Sequence, residues 1–188
     1  MPSVYADNLT VRDGRTQYFA LNKLGDGGYT DRWVRFKVGP LPLFFPNTQA
    51  RIRAVRFHDI HHVLTEYSTS WAGEAEISAW EIASDCAHHY AAWFLNLQVM
   101  AIGLLLDPAA VYRAFVRGRH CTNLYRAELN DALFSTPIGE LRQRLGLTTA
   151  PPRAEGKDRL AFVGWSLCGS LMLATPLLGG IAVLSLLR

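Results

Sequence analysis

The chain of 188 residues has only three cysteines, Cys86, Cys121 and Cys168, and no two of them form a CxxC pair. This scarcity excludes a disulfide scaffold and a thiolate zinc site, and it fits a reducing compartment. Charge is scarce as well: charged residues make up 19% of the chain, below the roughly 25% of soluble domains. Lys and Arg number 19 against 16 Asp and Glu, a formal net charge of +3. That surplus is too small to neutralise many phosphates, so no nucleic-acid partner is expected. Residues Met1 to Asp7 lack a basic region followed by an apolar one, so no secretory signal is expected. Repeats and low-complexity tracts are also missing. With 49% hydrophobic residues, disorder is excluded for the chain as a whole.

The apolar residues that are present suggest an all-α protein. Its expected form is a multi-helix bundle with an irregular, short-strand N-terminal arm and a C-terminal hydrophobic helix. The arm covers 1–49. Gly25, Gly27, Gly28, Pro40, Pro42 and Pro46 punctuate it, which makes helices of any length hard to place. Within it Trp33–Val38 alternates apolar and basic residues with the period of a half-buried strand, and 39–46 reads as an extended lead-in.

A helical domain is expected over 50–147. Its first helix is capped at Asn47 or Thr48, and its second runs from near Trp71, kinked, to Leu106. Further helices are expected at 109–118, 123–133 and 137–145. Residues 148–159 form a linker, with Pro151-Pro152. Beyond it, Leu160 to Leu187 is 28 residues without a charge, where about 20 apolar residues cross a bilayer. Arg142, Arg144, Arg153, Lys157 and Arg159 precede it, so the expectation is a membrane segment over 160–188 with the helical body on the cytoplasmic face. The bland alternative is a buried core helix or a homo-oligomer contact. A second apolar run, Tyr90 to Leu106, is 17 residues long and interrupted by Asn96 and Gln98. It reads as lining of the helical body around a greasy ligand.

The chemistry gathers at Phe57-His58-Asp59-Ile60-His61-His62. On a helix His58 and His62 share a face, with Asp59 at its edge and His61 turned about 100° from His62. Imidazoles one turn apart can chelate one divalent ion. After His62 come eleven residues, 63–73, and then Glu74, which a helical hairpin returns opposite the pair. His58, Asp59, His62 and Glu74 then form a two-nitrogen, two-oxygen set suited to zinc, iron or manganese without a choice among them. The plain alternative is histidines hydrogen-bonded to nearby carboxylates. Asp59 stands where a zinc protease has the Glu of HExxH, and nothing downstream supports that reading. Glu81, Asp85 and His88 hint at a second metal, but as a di-iron motif they are incomplete.

The spacing His-Asp-x-x-His, eleven residues, Glu resembles the signature of the Coq-four family of ubiquinone (coenzyme Q) biosynthesis proteins. His58, Asp59, His62 and Glu74 fill its four positions without a gap. The surroundings His62-Val63-Leu64-Thr65-Glu66-Tyr67, Ala114–Arg119 and Pro137–Arg142 are also similar, so the likeness covers about 50–147. It implies a divalent metal on those four residues and a tunnel for a prenylated quinone precursor. The reaction it implies removes the ring carboxylate and places oxygen on the same carbon, with Glu74 and Asp59 at the centre. A non-catalytic lipid-binding scaffold for other quinone-biosynthesis proteins is the alternative within the family, and a metal-dependent hydrolase the alternative outside it. Under this reading Tyr67, Arg117 or Arg119 holds the substrate carboxylate. Trp80, Tyr90 and their helical neighbours line the tail, and His88 faces the pocket.

Overall fold

The computed structural model describes the backbone of residues 3–38, 41–148, 150 and 153–186, and the side chains of these except 36–38, 41–43 and 176–186. The protein is mostly helical with one small antiparallel hairpin.

The N-terminal region is more ordered than its glycines suggest. Helix α1 (Val11–Asn22) starts at Thr10, whose side chain accepts a hydrogen bond from the Asp13 amide, and turns Val11, Gly14 and Tyr18 inward. The glycine cluster begins only after its end, at Gly25, so the breakers delimit this helix rather than prevent it. Strands β1 (Trp33–Val38) and β2 (Leu41–Pro46) follow, with Trp33 opposite Pro46 and Val38 opposite Leu41.

Helix α2 (Gln49–Thr65) is capped by Thr48 and ends at Glu66 in the left-handed conformation (φ 63°). Helix α3 (Trp71–Ala83) is capped by Ser70. The sequence suggests a continuous helix from there to Leu106; instead the chain breaks at Asp85 and Ala87, both at positive φ. The Asp85 carboxylate accepts from the Ala87 amide at 2.9 Å, and this local turn competes with helix continuation. Helix α4 (Tyr90–Leu106) then runs to Asp107, which caps α5 (Pro108–Arg119).

A helix over 123–133 is not formed. Residues 121–130 are turns, and only α6 (Asp131–Ser135) is helical there. The segment is instead held by tertiary contacts: the Leu124 amide donates to His61 Nε2 and the Tyr125 hydroxyl to Glu81. Helix α7 (Ile138–Arg144) follows.

Helix α3 packs between α4 and α5, and α1 and α7 lean on α2. The core centres on Trp80, Phe115, Ile60, Leu64 and Tyr125. Arg142 from α7 is buried and donates to the carbonyls of Val63 and Leu64 at the end of α2, to Glu66, and to Tyr5 O and Asp7 in the N-terminal segment. It therefore satisfies orphan carbonyls at one helix end while fixing the start of the chain.

Helix α8 (Gly156–Leu186) begins earlier than the apolar run, because Asp158 is buried, accepts from the Glu155 amide and pairs with Arg119. Its first half docks on the body rather than standing apart. Trp165 stacks on Trp93 of α4, and Phe162 meets Tyr112 and Phe115 of α5. Leu160, Val163, Leu167 and Leu171 remain exposed on the other side. Among the described residues no helix is long and apolar enough to cross a membrane.

Candidate metal centre

Helices α2 and α3 meet through a short turn, and the site lies where their facing sides converge. His58 and His62, one turn apart on α2, point their Nε2 atoms at each other across 3.2 Å. Glu74, in the first turn of α3, places Oε2 at 3.3 Å from His58 Nε2 and Oε1 at 3.3 Å from His62 Nε2. One ligand atom from each residue lies within 4.8 Å of the other two.

The tautomers are set from behind. His62 Nδ1 lies 2.8 Å from the Tyr67 carbonyl, which can only accept, so Nδ1 carries the proton and donates. His58 Nδ1 lies 3.0 Å from Glu81 Oε1 and donates likewise. Both rings are thus oriented with Nε2 toward the site, the arrangement that outer partners impose on metal-binding histidines. Two imidazole lone pairs and a carboxylate facing one point call for a positive charge between them. Burial opposes a charged His58, but the negative charge of Glu81 and the hydrogen bonds to Glu74 and Glu81 outweigh it and raise its pKa well above the ordinary value. Burial likewise opposes ionisation of Glu74, yet the His58 and His62 rings that face it hold its carboxyl down to about 2. A proton on His58 or a divalent cation satisfies the same demand, and binding the metal releases the proton. The donor set therefore fits a cation.

Asp59, expected among the ligands, is not in this group. It is buried, and its carboxylate accepts from the hydroxyl of Tyr29, in the loop after α1. Burial pushes its carboxyl up, and the Tyr29 bond partly opposes that. Its position one residue beyond His58, about 100° around the helix, takes it off the face that Glu74 meets.

Glu81 is the part of the site that sequence spacing misses. It is fully buried, and its Oε1 accepts from His58 and from His61 Nδ1 at 2.6 Å. Its Oε2 accepts from Asn96 and from the Tyr125 hydroxyl at 2.8 Å. With four donors on two oxygens it supports the histidines and does not join Asp85 and His88 in a second centre. Asp85 pairs instead with Arg126, and His88 is exposed and stacked on His89. His61, read as turned away, is neutral: its Nε2 accepts from the Leu124 amide while Nδ1 donates to Glu81.

The turn between the helices depends on Gly73. A Cβ there would sit 2.1 Å from the Ser68 carbonyl oxygen, so any side chain displaces the turn that carries Tyr67 and sets the start of α3. Gly73→Ala is expected to lower metal affinity about tenfold and to reduce the melting temperature by several degrees, read by chelator competition and thermal unfolding.

Comparison of the chain with protein-family models, with curated proteins and with solved structures finds no match in any of the three. The site is consequently read from its own geometry.

Beside the triad lies a cavity of about 300 Å³, walled mainly by apolar side chains, with His58 and Glu74 in its lining. That is the lower end of small-ligand sites. Ala92, Leu95, Asn96 and Val99 contribute from α4, a stripe at i, i+3, i+4 and i+7. The residues expected to line a tail lie on other faces. Trp80 is fully buried against His61, and Tyr90 is 70% exposed. Arg117 covers the Tyr67 ring and donates to the Thr65 carbonyl, and Arg119 pairs with Asp158. None of these, nor His88, lines the cavity.

Proposed function

We propose that this chain is a membrane-associated protein of ubiquinone biosynthesis that holds one divalent metal on His58, His62 and Glu74. In this reading it takes a prenylated aromatic quinone precursor into the adjoining cavity and acts as a metal-dependent oxidative decarboxylase of a prenylated hydroxybenzoate. One observation carries this reading: two histidines and a glutamate, held by buried partners, face a common point at the wall of an apolar cavity. The likeness of the His-Asp-x-x-His and Glu spacing to the Coq-four family supplies the substrate class.

Bound there, a divalent metal supplies Lewis acidity toward the oxygens of the precursor. The protein does the rest. Glu81 and the Tyr67 carbonyl keep both Nε2 atoms aimed, and Glu74 supplies negative charge. The apolar wall excludes water and holds the ring. The conversion breaks the bond between ring and carboxylate, releases carbon dioxide and forms a ring carbon–oxygen bond. This is a two-electron oxidation of the ring; with dioxygen as oxidant and oxygen source, one oxygen atom enters the ring and the other leaves as water, which takes two electrons and two protons from an external two-electron donor. The exposed stripe Leu160, Val163, Leu167 and Leu171, preceded by Arg153, Lys157 and Arg159, supports attachment to an anionic membrane surface.

Complementation of a ubiquinone-deficient strain tests the reading, with mass spectrometry of lipid extracted from the purified protein. Wild type restores quinone and carries a prenylated ring, and Glu74→Gln restores none. Full restoration by Glu74→Gln assigns the cavity to a non-catalytic scaffold instead.

A further inference from the structure

The apolar cavity does not end at the helices. Val34 and Arg51 line both this cavity and a neighbouring groove of about 630 Å³ whose other walls include Lys23, Arg32 and Arg35. The two spaces share a wall and contrast in character. The inner one is walled by Ala54, Val55, Leu95 and Val99, whereas the outer one carries four cationic side chains against the single acid Asp31.

Arg51 stands at the junction. It projects from the first turns of α2, donates to Asn47 Oδ1 at 2.9 Å and lies over the Phe45 ring at 5.8 Å. Asp59 and Tyr29 act on it electrostatically, but among the described residues no carboxylate pairs with it. A half-buried guanidinium, fixed at its edge by a neutral amide, keeps donors for a planar anion. Arg51 precedes His58 by seven residues, about 10 Å along the helix axis, so the two residues line the same cavity at different depths.

We propose that cavity and groove form one site for a single-chain amphiphile with an anionic head: the apolar chain packs in the cavity past His58 and Glu74, and Arg51 binds the head. This rests on the cavity invoked for the proposed function and is independent of the metal.

Calorimetric titration of the full chain in a mild non-ionic detergent tests it, with octanoate and 1-octanol as probes of equal chain length. Wild type is expected to bind octanoate at least about tenfold more tightly than octanol, the scale of a charge-assisted contact. Arg51→Gln abolishes that preference while leaving octanol and zinc affinities unchanged, and Arg51→Lys keeps part of it. Binding of neither probe, equal affinity for both, or a preference that survives in Arg51→Gln overturns the proposal. A preference lost in Glu74→Gln or with chelator but kept in Arg51→Gln assigns the anion to the metal, which overturns the Arg51 site and sustains the metal centre. A preference that requires Arg51 in a protein that takes up no zinc sustains the anion site and removes the metal reading.

Discussion

Glu74→Gln is expected to weaken divalent-metal binding by at least about 100-fold, since loss of an outer partner alone costs roughly 10–100-fold and Glu74 would be a direct ligand. The amide retains the size of the side chain and removes the charge that faces both Nε2 atoms. His62→Ala should act in the same direction by removing the more buried nitrogen. Glu74 lies in the first turn of α3 and is partly exposed, so circular dichroism should show unchanged helix content in Glu74→Gln. Competition with a chromogenic chelator measures the affinity. Stoichiometric metal at wild-type affinity in both variants contradicts the centre.

Glu81 is expected to dominate stability rather than ligation. Glu81→Ala strips a buried carboxylate from His58, His61, Asn96 and Tyr125 together. Breaking a buried charged network from one side costs about 3–5 kcal/mol, much of the 5–15 kcal/mol that holds a typical domain folded. Glu81→Gln keeps the volume and one acceptor oxygen but places an NH₂ donor among groups that donate, so a smaller loss of about 1–3 kcal/mol is expected. Urea unfolding at a pH where His58 titration does not intrude separates the two. A Glu81→Ala midpoint equal to wild type would show that the network contributes nothing. The retained fold of Glu81→Gln allows its metal affinity to be read as well, and a drop of about tenfold follows from the loosened His58 ring.

The helical body was legible wherever a local signal sufficed. Thr48, Ser70 and Asp107 cap helices where capping chemistry puts them, and β1 occupies the alternating stretch Trp33–Val38. His58, His62 and Glu74 were legible for the same reason: a one-turn spacing plus a short connection fixes their faces. Errors arose where tertiary partners decide the outcome. The 123–133 segment scores as helix, yet Leu124 and Tyr125 are drawn into the core by His61 and Glu81. A signal for Glu81 did exist, since 74, 78 and 81 share a face of α3 that must look toward α2. The grouping of Glu81 with Asp85 and His88 is incomplete as a motif, and it left Glu81 with no role of its own. Asp59 was placed among the ligands by its position at the edge of the His58–His62 face and by the likeness of the His-Asp-x-x-His spacing, whereas its partner Tyr29 comes from a loop that no periodicity describes. No periodicity places the loop from Lys23 to Arg32 beside Arg51, so the groove they share was not legible.

The reach of Glu81 and Arg142 along the chain has a consequence for biosynthesis. When residue 74 has been translated, all three metal-directed groups have been made, but Tyr125 has not, and neither has the arginine that seals the end of α2. At about 5–20 residues per second, roughly 3–10 s pass before Tyr125 is translated. Under the proposed metal reading, the aim of the His58 ring is complete only once Tyr125 has joined Glu81 and Arg142 has closed the end of α2.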